Sequence, residues 1–120
     1  NTGGGYKQSY DLEEATNNIG VVRVAPFVKW LKDNNKRGFV GEYGVPNNDS
    51  RWLVTLDNML RFLKENGING TYWAAGPRWN DYFLSVEPQN GNDRVQMSVL
   101  QNYTVADTPP SSTIIDSRAM

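Results

Sequence analysis

A short apolar run, GFVGEYG at residues 38–44, constrains the fold of this chain more than any other stretch. It lies between two helix-like stretches, so the pattern predicts a buried strand of a parallel sheet. The run carries one carboxylate, Glu42, and ends at a glycine. Ligands bind at the carboxyl ends of strands in open α/β sheets and in (β/α)8 barrels. Glu42 is therefore a candidate site residue, and the alternative is a glutamate that turns to water or pairs with an arginine.

The composition narrows the chemistry. The 120 residues include no cysteine and no histidine, which excludes a thiol nucleophile and a Ser-His-Asp triad within this chain and leaves carboxylates as acid–base groups. Twelve basic and 13 acidic residues nearly cancel, so we expect no nucleic-acid or membrane partner and a neutral substrate. The first residue is not Met and no signal peptide follows, so we expect a piece of something longer.

Helical spacing predicts two main helices. The first is capped by Asn17 or Asn18, runs to about Asn34, and contains Pro26, which should bend or break it. Its predicted apolar stripe is Ile19, Val22, Phe27, Trp30 and Leu31. The second is capped by Asp49 or Ser50 and ends before Gly67. Its predicted apolar stripe is Trp52, Leu56, Met59, Leu60 and Leu63.

The remaining segments complete the predicted organisation. Residues 68–77 read as a second strand, and a last short helix should begin at Asn92 or Asp93 and continue through Gln101. Helix, strand, helix, strand with tight turns predicts parallel strands with right-handed crossovers, hence an α/β layer fold or barrel. We expect residues 1–16 to be a polar loop, residues 1–103 to form the domain, and residues 104–120 to be a flexible tail or linker.

The loop after the second predicted strand, residues 78–83, combines the large aromatic residues Trp79 and Tyr82 with the hydrogen-bonding side chains of Arg78, Asn80 and Asp81. Sugars present flat C–H faces and a rim of hydroxyls, so their sites combine aromatic platforms with amide and carboxylate side chains. The candidates are Trp73, Trp79 and Tyr82. The alternative is that these aromatic residues only pack the core or the end of a barrel.

These motifs resemble the carboxyl-terminal part of a family 5 glycoside hydrolase, in particular the endo-β-1,4-glucanase (cellulase) group. The resemblance rests on GEYG at 41–44, YWAAGPRWNDY at 72–82 and LSVEP at 84–88, and extends over residues 17–103. It implies the section of a (β/α)8 TIM barrel around strands 7 and 8. Glu42 then matches the catalytic nucleophile, and Trp73 matches the tryptophan that stacks under the sugar. Trp79 and Asp81 resemble substrate-binding positions near the cleft.

The same resemblance implies a missing partner. A retaining glycosidase needs a second carboxyl group, which the family carries on its fourth strand, and Glu87 and Asp81 are poor replacements. We therefore expect a complementary amino-terminal chain, no activity from this chain alone, a β-glucan substrate, a secreted location, and no cofactor or metal. The residues are also compatible with mannan or xyloglucan.

Two other hypotheses stay open at this point. A non-catalytic carbohydrate-binding module would use Trp73, Trp79 and Tyr82 as a platform without chemistry. A small doubly wound α/β domain with a regulatory or scaffold role would neither bind nor cleave sugar, and would leave the Trp-Asn-Asp-Tyr loop unexplained.

Overall fold

The computed structural model describes residues 9–104. The elements in chain order are α1 (Ile19–Asp33), β1 (Phe39–Tyr43), α2 (Arg51–Glu65), β2 (Asn69–Tyr72), a 3-10 turn (Pro77–Trp79) and α3 (Met97–Leu100). The predicted alternation of helices and strands is confirmed. The predictions for residues 1–8 and for the tail from residue 105 onward lie outside the described residues. Within residues 9–104, no helix has the length and apolar character needed to cross a bilayer.

The two strands pair in parallel, as predicted. Val40 lies opposite Gly70, and Tyr43 lies opposite Tyr72, with a register shift between these two pairs. The first strand therefore has one more residue over this interval than the second. One extra residue on one side of a pair is a β-bulge, which breaks the alternation of side chains along the strand.

The core lies between the helices and one face of the sheet. The second helix supplies most of it, because its apolar residues recur at helical spacing and four of the five predicted stripe residues are buried. Other buried residues come from the first helix, the loop after the first strand, the residue before the second strand and the third helix: Val28, Leu31, Val45, Ile68, Val99 and Leu100. The prediction of a buried first strand is wrong, since Phe39 is 56% exposed. Within residues 9–104, helices cover only one face of this two-stranded sheet, and its other face is open.

The first helix buries a different face from the predicted one. Val28 and Leu31 are buried, whereas Val22 and Trp30 are 66% and 55% exposed. Of the predicted stripe, only Leu31 is fully buried. The surface by which the helix contacts α2 is narrower than the apolar face that the sequence pattern predicts. Pro26 does not break the helix. It lies on the exposed side, where the carbonyl group that loses its helical donor can be hydrated.

The structure distinguishes the two capping candidates of the second helix. The Asp49 carboxylate accepts a 2.9 Å hydrogen bond from the Arg51 backbone amide, whereas the Ser50 side chain makes no capping hydrogen bond. Arg51 also contacts Asp49 through its guanidinium group, and these contacts lower the pKa of the Asp49 carboxyl. At the other end Gly67 has φ +71°, the left-handed conformation that the sequence predicted there.

Two predicted elements are shorter than expected. The second strand ends at Tyr72 rather than at residue 77. The Trp73 amide still donates to the first strand, but beyond it the Ala74 carbonyl accepts the Val86 amide at 2.8 Å, so the chain then pairs with the 84–86 segment. The last helix begins at Met97, not at Asn92 or Asp93. The preceding Arg94 and Gln96 are buried and donate to loop carbonyls.

Candidate active site

The β-bulge determines which face of the sheet Glu42 occupies. A β-carbon placed on Gly70 would lie 3.1 Å from Val40 Cβ and 3.0 Å from Tyr43 Cε2, so Val40 and Tyr43 share the helix-packed face. With regular alternation, Glu42 would share that face with Val40. The extra residue breaks this alternation and favours the open face for Gly41 and Glu42. Both are exposed, whereas Val40 and Tyr43 are partly buried.

The Glu42 carboxylate has no hydrogen bond and no ion pair within residues 9–104. Pairing with an arginine, one form of the alternative weighed from the sequence, is therefore wrong for the described part of the chain. Exposure to water alone fits both a surface residue and a site residue. What distinguishes the two is what lies beside Glu42 on the open face.

The Trp73 segment lies directly beside the end of the first strand. The Trp73 backbone amide donates a 2.8 Å hydrogen bond to the Tyr43 carbonyl. A β-carbon on Gly44 would collide with the Trp73 carbonyl oxygen, so this close approach requires glycine at position 44. Trp73 follows Tyr72, which faces the helices, so it lies on the open face with Glu42. Its side chain is 40% exposed.

The aromatic residues after the second strand form a connected cluster. The Trp73 and Trp79 rings meet edge to face with centroids 5.2 Å apart, and Trp79 stacks on Tyr82 at 4.7 Å. Both geometries are favourable for aromatic pairs. The predicted candidates Trp73, Trp79 and Tyr82 therefore do lie together, at the same end of the sheet as Glu42.

The two other carboxylates considered from the sequence have protein partners. Asp81 accepts a 2.7 Å hydrogen bond from Gln89 Nε2 and is exposed. Glu87 Oε1 accepts the Gly76 backbone amide at 2.9 Å. That bond fixes the turn at Gly76, where φ is +131°, and it gives Glu87 a structural role.

Glu42 also borders a groove of about 230 Å³. Most of its wall is apolar and comes from the first and second helices, and neither Trp73 nor Trp79 lines it. It therefore lies between the two helices and the end of the first strand, and it is separate from the aromatic cluster. Residues 9–104 contain no group of three or more His, Cys, Asp or Glu side chains that could hold a metal ion.

A buried polar network supports the loops behind the site. The Tyr72 hydroxyl donates to the Val45 carbonyl at 3.0 Å, and Gln96 Nε2 donates to the same carbonyl at 3.2 Å. Burial raises the pKa of Tyr72 to about 12, so this phenol stays protonated at neutral pH. Burial also raises the pKa of Tyr43.

The family model described as Cellulase (glycosyl hydrolase family 5) matches residues 2–78. This match includes both Glu42 and Trp73 and ends just before Trp79 and Asp81. The chain belongs to glycosyl hydrolase family 5. The resemblance inferred from the motifs is thereby confirmed.

Curated relatives of this family 5 chain are named endo-β-1,4-glucanases. The probable endo-β-1,4-glucanase B of Aspergillus oryzae is 44% identical over 71% of this chain and 26% of its own length. Endo-β-1,4-glucanase B of Aspergillus niger is 38% identical over 71% of this chain and 27% of its own length. The chain thus spans about a quarter of the length of the relatives it matches.

Solved structures confirm the fold of the family 5 chain. The endoglucanase Cel5A of Pseudomonas stutzeri, solved with cellobiose, superimposes with a TM-score of 0.72 at 40% identity, covering 77% of this chain and 28% of that one. XacCel5A, solved with cellopentaose, has a TM-score of 0.70 at 32% identity, covering 74% and 30%. The chain is a carboxyl-terminal α/β section of a TIM barrel, as predicted.

Sequence reasoning missed the polar residues that support this family 5 site. Tyr72, Arg94 and Gln96 were read as strand or helix residues without a role. Each side chain donates a hydrogen bond to a backbone carbonyl distant in the sequence, and no sequence motif indicates such a contact. Only one feature of the sequence points to them: Arg94 and Gln96 directly precede an apolar helix face. Polar side chains buried at such a position need hydrogen-bond partners.

Proposed function

We propose that this chain is the nucleophile-bearing part of a retaining endo-acting β-1,4-glucan hydrolase, with Glu42 as the nucleophile. One observation carries the proposal: an exposed carboxylate with no partner within residues 9–104 lies at a bulged parallel strand end, beside the segment that carries Trp73. Ligand sites of TIM barrels are built at these strand ends. The names of the relatives support the reaction class.

The reaction proceeds in two displacement steps. A Glu42 carboxylate oxygen attacks the anomeric carbon, and the glycosidic C–O bond breaks as its electron pair goes to the leaving oxygen. A second carboxylic acid protonates that oxygen. Water then attacks the same carbon, gives its proton to the second carboxylate, and expels Glu42 as the free carboxylate.

The second carboxyl group is assigned to the rest of the barrel. It must lie about 5 Å from the nucleophile in a retaining enzyme. Glu87 is held by the Gly76 amide, and Asp81, which accepts one bond from Gln89, is proposed to bind the sugar, so neither is assigned this role. Without that acid the chain should not hydrolyse its substrate.

Trp73, Trp79 and Asp81 are proposed to bind the sugar. Trp73 is 40% exposed, and an exposed aromatic ring is the kind of apolar surface that stacks on the C–H face of a glucose unit. Asp81 adds an exposed carboxylate on the same loop. Two solved relatives were determined with cellobiose and cellopentaose, which supports a β-1,4-glucan as the ligand.

The exposed apolar surface supports a complementary amino-terminal section of the barrel as partner. Phe39 on the open face of the sheet is 56% exposed, and Trp30 and Val22 on the first helix are 55% and 66% exposed. Barrel interiors are filled by layers of apolar side chains from neighbouring strands. A neighbouring βα unit beside β1 would cover these residues. The proposed secreted location rests on the resemblance alone.

A carbohydrate-binding module would need only the aromatic platform. The family model covers Glu42 as well as Trp73, which favours a hydrolase over that alternative.

The test uses a reconstituted barrel, meaning this chain co-expressed with the amino-terminal three quarters of the Aspergillus oryzae relative. The measurement is hydrolysis of soluble carboxymethylcellulose, with NMR of the first anomer released. We expect assembly, activity and a β product. Glu42→Gln should abolish turnover, and Glu87→Gln, a matched control whose amide oxygen can still accept the Gly76 amide, should retain it.

Three outcomes would contradict the proposal. Failure of the two sections to assemble would count against the complementary partner. If Glu42→Gln kept full turnover, Glu42 would not be the nucleophile. The same conclusion would follow if Glu87→Gln lost turnover and Glu42→Gln did not. Release of the α anomer would exclude the retaining mechanism.

A further inference from the structure

Gln96 joins the two loops that follow the two strands. Its side chain is fully buried, with 0% exposure. Its amide nitrogen donates to the Val45 carbonyl at 3.2 Å and to the Phe83 carbonyl at 3.1 Å. The Asn47 backbone amide donates to the same Phe83 carbonyl at 3.1 Å. The loops after β1 and β2 therefore meet at one side-chain amide.

The two carbonyls belong to the two halves of the proposed site. Val45 lies three residues after Glu42, immediately beyond the Gly44 contact with Trp73. Phe83 follows Tyr82 of the aromatic cluster, and the centroids of these two rings lie 4.9 Å apart. A shift of the Gln96 amide would thus change the position of the Glu42 strand end relative to the aromatic rings.

The chemistry of the site requires an amide there. Two partners of Gln96 are the Val45 and Phe83 carbonyl oxygens, so the NH₂ end, with its two hydrogens, must face them, and the Tyr72 phenol lies within hydrogen-bond reach of the same side chain. The Oε1 atom is buried and has no partner within the described residues. Leaving a buried acceptor unpaired is unfavourable, and an aliphatic residue of similar size would avoid it. The feature that an aliphatic residue lacks is the pair of donors.

We propose that Gln96 is a positioning residue for the hydrolytic reaction, which fixes the Glu42 strand end against the aromatic cluster. The inference rests on the proposed function. Gln96 does not touch the substrate in this account. It acts through Val45 and Phe83.

The first test compares Gln96→Leu with Gln101→Leu in the reconstituted barrel, with kcat and KM measured well below each variant's unfolding midpoint. Gln101 is an exposed glutamine at the end of the same helix, and no contact of its side chain is needed by the site. We expect Gln96→Leu to lower kcat about 10- to 100-fold with a smaller change in KM, because misplacing a reacting group by about 1 Å costs rate of that order. Gln101→Leu should match the unsubstituted barrel.

The second test uses Gln96→Glu and the pH profile. As a neutral acid, Glu at position 96 keeps one donor for the two carbonyls. As a carboxylate it has none and repels both. We expect the ratio of its kcat to that of the unsubstituted barrel to be highest at acid pH and to fall as the new carboxyl ionises, a profile that Gln101→Leu should not show.

The results separate the two proposals. If Glu42→Gln is inactive but both Gln96 variants behave like Gln101→Leu, the positioning role is wrong and the proposed function stands. If Glu42→Gln stays active, the proposed function itself fails. A Gln96→Leu variant that does not assemble, together with Gln96→Glu that does not recover at acid pH, would reduce Gln96 to a folding residue and overturn the inference.

Discussion

Trp73 donates its backbone amide to the carbonyl oxygen of Tyr43 at 2.8 Å, one residue beyond Glu42. This bond extends the parallel pairing past the end of the second strand. It also brings the candidate nucleophile and the first ring of the aromatic cluster to the same end of the sheet. The relation depends on backbone contact, so changes that separate the two segments should damage the site before they damage the helical core.

Gly44→Ala tests that contact. The new β-carbon would collide with the Trp73 carbonyl oxygen, a backbone atom that cannot move without separating the segments. We expect the free energy of unfolding of the reconstituted barrel to fall by about 3 kcal/mol, the upper range for overpacking. Urea denaturation followed by tryptophan fluorescence measures it.

Gly38→Ala is the comparison for this change. There the new β-carbon meets the ends of the Leu31 and Phe27 side chains, which can change conformation. We expect a loss of about 1 kcal/mol. Equal losses at positions 38 and 44 would show that the Trp73 backbone contact is not as close as described.

Trp79→Ala tests the aromatic cluster as the sugar platform. Trp79 contacts Trp73 at 5.2 Å and stacks on Tyr82 at 4.7 Å, so its removal breaks both contacts. We expect KM for cellopentaose to rise about 10-fold, the equivalent of about 1.4 kcal/mol of lost stacking. Tyr82→Phe, which keeps the stacked ring, should leave KM within about twofold. An unchanged KM in Trp79→Ala would assign the cluster to packing.

Tyr72→Phe tests the phenol that bridges to Val45. Loss of its hydrogen bond should lower the free energy of unfolding by about 1 kcal/mol near neutral pH. Burial raises the folded pKa of Tyr72 to about 12, above the ordinary value of 10.0. Its stabilising contribution is therefore complete below pH 10 and is lost as pH rises toward 12.

The measurement for Tyr72 is urea unfolding of both proteins at about pH 8 and about pH 11. The difference between unsubstituted barrel and Tyr72→Phe should shrink at the higher pH. A difference that grows with pH would mean that the buried phenol ionises more readily in the folded state.

The sequence was sufficient for the order of elements. The apolar spacing of the second helix predicted its buried face because that helix packs on both neighbouring layers of the described chain. For the first helix the apolar pattern predicted the wrong buried face, because no surface within residues 9–104 covers Val22 and Trp30. The spacing of apolar residues indicates which side chains are suited to burial. Whether they are buried depends on the rest of the fold.

The site could be predicted by residue type but not by geometry. Glu42 and Trp73 were found from their motifs, yet the bulge that turns Glu42 to the open face has no marker in the sequence beyond Gly41. Gln96 contacts Val45, which lies 51 residues earlier in the chain. Spacing rules describe neighbours within one helix or strand, so contacts of this length need the folded structure.

The proposed mechanism requires Glu42 to form the bond to the sugar. A decisive experiment treats the reconstituted barrel with a 2-deoxy-2-fluoro cellobioside that carries a good leaving group, and locates the attached sugar by mass spectrometry of proteolytic peptides. We expect one fluorocellobiosyl group on the peptide that contains Glu42, bonded to that side chain, and none on the Glu42→Gln variant. A label on another carboxylate, or an active barrel that acquires no label, would contradict this mechanism.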